Sequence, residues 1–226
     1  PRLHHASTAH EGAAKGAVAS CLKEYLHHGY YPFFLEHTNY SENLLKTMNM
    51  MIEVDVLLIR QIELKYLTKI KKLYYLLALE TGKSPNVSKL AETIDTSRAT
   101  VMNYIKYLAD ARLLNIIYHQ GSVFPKKPAM VVVNTPNLIY TVYPRNFGDR
   151  EILNSFFINQ LRKDHTVNKE RATDAYRIDG ETSVRISAEG EGESRARGKK
   201  NYYTASSGLV VGKGRKIPLW LFGFLY

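Results

Sequence analysis

The sequence predicts an α+β protein with a helical front half and a strand-rich back half. Three observations carry this. Apolar residues recur at helical spacing from Tyr40 to Leu79, two helical patterns and two β-rich runs follow each other between residues 84 and 133, and short strand-like runs alternate with turns after Asp149. The composition agrees: 226 residues, 45% hydrophobic and 23% charged, are ordinary for a globular chain. That excludes disorder as the main state, and at roughly 100–200 residues per domain the length allows one large or two small domains.

Residues 1–20 are small and polar and lack an initiating Met, so they read as a disordered edge of the chain with something lost upstream. Ala13, Ala14, Ala17 and Val18 are too interrupted for the apolar centre of a secretory signal. His4, His5 and His10 lie here without a spacing that fixes a metal geometry.

Residues 21–80 are expected to be helical. Cys21–Gly29 is a short amphipathic stretch stopped by Gly29, and Pro32 keeps the aromatic cluster Tyr30–Leu35 from being a helix interior. Leu44, Leu45, Met48, Met51 and Ile52, then Leu67, Ile70, Leu73 and Leu77, give two or three helices with Lys69, Lys71 and Lys72 largely opposite.

Residues 81–135 carry the sharpest local signal. Val87–Ile94 is a short helix, Asp95–Ser97 a turn ending in a good N-cap, and Arg98–Ala111 a longer helix with Val101, Met102, Ile105 and Leu108 on one face. Leu113–His119 and Met130–Val133 read as two strands joined by the Gly/Pro/Lys turn Gln120–Pro128. Together they predict a winged helix-turn-helix. Such a second helix can enter the major groove, so Ser97, Arg98, Thr100, Asn103 and Tyr104 are the candidate DNA contacts. Lys126 and Lys127 on the wing turn are candidate phosphate contacts. The charge balance, 31 Lys and Arg against 21 Asp and Glu for a net +10, points to the same polyanionic partner.

Residues 136–226 predict a small α/β domain. Asp149–Lys163 is an amphipathic helix; Ala175–Ile178, Ser183–Ala188, Asn201–Ala205 and Leu209–Val211 are strand-like. Glu189–Lys200 reads as an exposed mobile loop, and Ile217–Tyr226 is apolar enough to close the core but too short to cross a bilayer. A helix bearing an acid followed by strands bearing further acids is the plan of restriction-endonuclease-like nucleases, whose carboxylates hold Mg²⁺ beside a Lys. Glu151 and Asp174 supply two acids, but the third strand has no Glu-x-Lys: it runs Arg185, Ile186, Ser187, Ala188, Glu189. The expectation is a degenerate site without cleavage. A residual nuclease would need Glu151, Asp174 and Glu189 or Glu191 to converge. The run Gly208 to Gly212-Lys213 is a false phosphate loop, because it lacks the four-residue spacing and a following Ser or Thr.

Five separated segments, His28–Glu36, Val87–Leu114, Phe124–Tyr140, Phe156–Arg162 and Lys216–Tyr226, resemble the C-terminal half of bacterial and archaeal AAA-type ATP-binding proteins. The resemblance implies a winged helix followed by a nuclease-like domain, with the P-loop ATPase half absent from this chain. It therefore implies no cofactor here, ATP and Mg²⁺ entering only through that other half. The family's Glu-x-Gly-Gly-Lys stretch corresponds to Ser187-Ala188-Glu189-Gly190-Glu191, so Glu151, Asp174, Ser187 and Glu191 mark remnant positions and no catalytic activity is expected of the chain alone. The expected partner is duplex DNA, with a homo-oligomer or a separate ATPase subunit as further partners and no membrane. One cysteine and no secretory signal place the chain in a reducing cytoplasm. The competing reading is a protein-interaction scaffold that does not bind DNA.

Overall fold

Helix α1, over residues 16–24, is the first element of the computed structural model, which describes residues 16–31, 35, 39–58, 60–142, 148–191 and 201–225. The histidines at 4, 5 and 10, residues 32–34 of the aromatic cluster, most of the expected mobile loop and Tyr226 lie outside the described residues.

Helix α1 runs into a π-helical turn, Tyr25–Gly29. Helix α2 (Tyr40–Met51) buries Tyr40, Leu44 and Met48, one residue per turn, and a second π-helical turn, Ile52–Leu58, extends the stripe through Ile52 and Val56. Helix α3 (Leu67–Leu79) buries Ile70, Leu73, Tyr74, Leu77 and Ala78. Its lysines lie opposite, as expected, and tie the helix to its neighbours: Lys71 Nζ donates to Glu53 at 2.7 Å and Lys72 Nζ to the Thr93 carbonyl at 3.0 Å.

Helices α4 (Val87–Thr93) and α5 (Arg98–Asp110) each have a side-chain N-cap. Asn86 Oδ1 accepts from Lys89 N at 3.2 Å, and Ser97 Oγ accepts from Thr100 N at 3.0 Å. Between them Asp95 adopts φ 50°, a conformation Asp tolerates, and Lys69 donates to both its carbonyl and its carboxylate. Strands β1 (Leu114–Ile117) and β2 (Met130–Val133) then pair antiparallel, Leu114 opposite Val133. Met130 to Val133 are all buried.

Helix α6 (Pro136–Val142) is an element the sequence reading does not contain. Its Asn137 reaches back to the Tyr25–Gly29 turn, donating to the Leu26 carbonyl at 3.1 Å, and Tyr140 stacks on His27 with ring centres 3.8 Å apart. Helix α7 (Asp149–Leu161) follows as expected. Five strands complete the chain: β3 (Val167–Lys169), β4 (Ala175–Ile178), β5 (Thr182–Ser187), β6 (Tyr202–Ser206) and β7 (Lys216–Pro218), hydrogen-bonded in that order. The first two pairings are antiparallel and the last two parallel.

The architecture is therefore α+β with two separate sheets. Two expectations fail. Leu209–Val211 is not a strand: Gly208 and Gly212 flank it, Val211 is 76% exposed, and the sheet takes Lys216–Pro218 instead. The apolar C-terminus closes the core only in part. Leu219 is fully buried and Phe222 packs on Phe157 at 4.9 Å, but Phe224 stays 67% exposed. One contiguous apolar core runs from Leu26 to Leu219 and joins both halves. No helix among the described residues is long and apolar enough to cross a membrane.

Candidate nucleic-acid interface and carboxylate cluster

Helix α5 packs against α3, α4, β1 and the Ile52–Leu58 turn. That packing follows from Val101, Ile105 and Leu108, each fully buried, and it leaves Ala99 and Asn103 exposed on the far side and Arg98 exposed in the first turn. Among the described residues, those after Asn137 leave Arg98 and Asn103 exposed. Lys126 and Lys127 are exposed on the loop between β1 and β2.

Three expected groove-facing residues have other engagements. Tyr104 is only 6% exposed and its phenol is pushed up by burial, so it belongs to the core and not to the surface. The signal for this was its spacing: residue 104 is three after Val101 and four before Leu108, on the apolar stripe. Ser97 and Thr100 share a hydrogen bond between their hydroxyls at 2.8 Å while Ser97 caps the helix. Arg98, Asn103, Lys126 and Lys127 are the candidates left facing solvent.

The loop between β1 and β2 is anchored at its base to the larger sheet. Lys169 N donates to the Tyr118 carbonyl at 2.9 Å, His119 Nδ1 donates to the Lys169 carbonyl at 2.7 Å, and Arg162 donates to the Ile116 carbonyl at 3.0 Å.

The second place of interest is where α7 begins and β4 and β5 meet. Asp174 immediately precedes β4, Ser187 ends β5 and Glu191 follows it, so Asp174 and Glu191 do come together. What holds them is Arg150, in the first turn of α7. It donates to the Asp174 carboxylate and, through Nη2, to both oxygens of Glu191 at 3.0 and 3.2 Å. Arg185 of β5 adds a contact to Glu191 at 3.2 Å. Lys169 adds one to Asp174 at 2.9 Å while its ammonium lies 4.7 Å from the centre of the Tyr176 ring.

Two carboxylates thus meet three cations. Partial burial would raise the Asp174 carboxyl, but Lys169 and Arg150 outweigh it and hold it below the usual carboxylate range. The hydrogen bonds to Glu191 raise the Arg150 guanidinium. Glu151 does not join them. It turns toward Gly148, whose imagined Cβ would lie 2.8 Å from Glu151 Oε2, and toward Gly82. Ser187 is buried and its hydroxyl donates to the Ala188 carbonyl at 3.2 Å.

This donor set does not fit a hard divalent cation, which gathers carboxylate oxygens free of competing cations. Among the described residues no group of three or more acids, histidines or cysteines could hold a metal ion. The sequence reading weighed acids alone and missed Arg150. The signal was present: a cation in the first turn of a helix opposes the macrodipole and needs an anionic partner.

Against known proteins, a family model described as "Domain of unknown function (DUF8612)" matches residues 20–130. That segment runs from within α1 to the first residue of β2. The chain is 34% identical over 107 residues to the uncharacterized protein MJ1637 of Methanocaldococcus jannaschii, a match covering 46% of this chain and 23% of the relative. The matched chain thus spans about a quarter of the length of that relative. No solved structure matches it.

Proposed function

We propose that residues 81–135 form a winged helix that binds duplex DNA, next to a nuclease-like domain (136–226) whose metal site has become an ion-pair cluster. One observation carries the reading: Arg98 and Asn103 of α5 are exposed, while Val101, Ile105 and Leu108 of the same helix are fully buried. Arg and Asn are the side chains that pair bidentately with guanine and adenine edges in the major groove. Lys126 and Lys127 would neutralise phosphates beside them. The net charge of +10 supports a polyanionic partner. In the second domain, Arg150 sits between Asp174 and Glu191 where the nuclease plan wants a cation-binding pair of free acids, so we assign the chain no cleavage activity of its own. The motif resemblance extends the proposal: the chain acts as the C-terminal part of a AAA-type ATP-binding protein in the cytoplasm, with ATP and Mg²⁺ handled by another half or another subunit.

The scaffold reading draws on one observation of its own, the anchoring of the β1–β2 loop to β3 through Tyr118 and His119. A labelled-duplex titration across salt concentrations separates the two. DNA binding gives a log K that falls linearly with log salt. No binding at low salt would sink the DNA reading in favour of the scaffold.

A further inference from the structure

A cleft of about 710 Å³ opens between the C-terminal ends of α5 and α7, flanked by β1 and the Tyr25–Gly29 turn. It shares neither Arg98 and Asn103 nor Lys126 and Lys127 with the duplex interface proposed above. Its size lies within the roughly 300–1,000 Å³ usual for small-molecule clefts. Its walls are of two kinds: the cations Arg112, Arg162 and Lys163, and the aromatic rings of Tyr25, Tyr118 and Phe124.

Cations after a helix C-terminus are the ordinary complement of its dipole, and Arg112, Arg162 and Lys163 stand there. Three observations go further. Arg112 adopts φ 56°, at the position following a helix where glycine is the unstrained choice. Asp95, Asp179 and Asn201, which share that conformation, are residue types that tolerate it; Arg112 and Gln61 are not, and at Arg112 the turn carries a guanidinium to the rim of the cleft. Next, none of Arg112, Arg162 and Lys163 meets a carboxylate among the described residues, and the one acid lining the cleft, Asp110, is already bound by Arg60 and Lys106. Finally, the buried hydroxyl of Tyr118 has no hydrogen-bond partner among the described residues. Buried polar groups are normally satisfied, and a side-chain turn that brought this covered hydroxyl into the cleft would let a ligand complete it.

We infer that this cleft binds a nucleotide unit: a phosphate against Arg112, Arg162 and Lys163, and a base against the rings of Tyr118 and Phe124. An aromatic wall beside cations that meet no carboxylate is the combination that holds bases by stacking and the backbone by charge. The unit is either a free mononucleotide or an unpaired nucleotide of a single strand.

The full chain is titrated with AMP, adenosine, inorganic phosphate and a short 5′-labelled oligo-dT. The inference expects AMP or oligo-dT to saturate the chain at least about tenfold more tightly than phosphate or adenosine alone, because charge-assisted contacts and stacking act together. Arg112→Gly with Lys163→Gln should weaken that binding by about tenfold or more, and Tyr118→Phe by a smaller factor, both without changing duplex binding. Lys163→Gln alone, at an exposed position, repeats the test should the double variant melt early. AMP saturation identifies a free nucleotide as the source, and saturation by oligo-dT only identifies an unpaired strand. The inference is overturned by binding of neither, by phosphate binding as tightly as AMP, or by affinity that the cleft variants leave unchanged.

Discussion

The hydroxyl of Ser155, on α7, donates to the carbonyl of Val133, on β2, at 2.8 Å, with Ser155 fully buried. The amide of the same Val133 donates to Thr81 Oγ1 at 2.9 Å. One residue of the small sheet is therefore held from two directions, by the segment before α4 and by the helix that opens the back half. Removing either hydroxyl leaves a buried backbone group without a partner. Ser155→Ala and Thr81→Val are each expected to cost about 1–3 kcal/mol in denaturant unfolding. A loss below a few tenths for both would show that the halves are not joined here.

Phe157 packs between Tyr176 of β4, at 5.8 Å, and Phe222 of the C-terminal turn, at 4.9 Å. It is fully buried, so Phe157→Ala should cost about 3–5 kcal/mol. The near-ultraviolet circular dichroism should change with it, since three rings lose their arrangement. An unchanged midpoint would contradict the placement of the C-terminal segment.

Asp174 makes stability depend on acid. Its carboxyl is held below the usual range in the folded chain, so near the ordinary carboxylate value the unfolded chain binds more protons than the native one. The contribution is complete above that ordinary value and is lost as the pH falls from there through the lowered native value. Asp174 is half exposed, which limits the effect to about 1 kcal/mol or less after screening. Asp174→Asn should flatten the acid limb of the stability profile, and high salt should do the same to the unaltered chain. An acid limb identical in the variant and the unaltered chain would refute this.

Replacing Lys126 and Lys127 with Ala is expected to lower the salt slope of duplex binding by about two units, one per phosphate contact, with similar losses for all sequences. Arg98→Ala should cost ~1–3 kcal/mol at one base position and relax specificity there. Tyr104→Ala, at a buried position, should lower the melting temperature instead of altering base preference. Binding that stays selective in Arg98→Ala would remove Arg98 from the interface.

Ser97 separates capping from recognition. Its hydroxyl satisfies the Thr100 amide, so Ser97→Ala should cost about 0.5–2 kcal/mol of stability, and Ser97→Gly only a few tenths. Duplex affinity equal in both variants would assign the hydroxyl to the helix alone.

Much of the chain was legible because its local signals are strong. The apolar stripe of α5, the cap at Ser97, and the β-rich runs at Leu114 and Met130 all stand where the sequence puts them, within a residue or two. What escaped is short or set by tertiary contact. Helix α6 is seven residues rich in β-branched and aromatic types; its sign was Thr135-Pro136, a cap residue followed by the one residue suited to a first helical turn. Strand β3, Val-Asn-Lys, has no alternation to read and forms because it lies between β4 and the Tyr118–His119 backbone. The acids of the carboxylate cluster alone resemble half a metal site; Arg150, Arg185 and Lys169, which make it an ion-pair cluster, come from separate elements that only the fold brings together.

The flanks of the two sheets have a consequence for how copies of this chain can meet. On β2, Val131 exchanges backbone hydrogen bonds with Gly82 and Lys83, and Val133 is taken by Thr81 and Ser155. On β3, Lys169 is taken by Tyr118 and His119. On β7, Lys216 exchanges both backbone bonds with Lys213, and Pro218 has no amide hydrogen to offer. These three outer strands are thus blunted, which denies a foreign strand the template it needs to zip on there. Strand addition along β2, β3 and β7 is closed to the folded chain, so copies that meet at these flanks must do so through side chains.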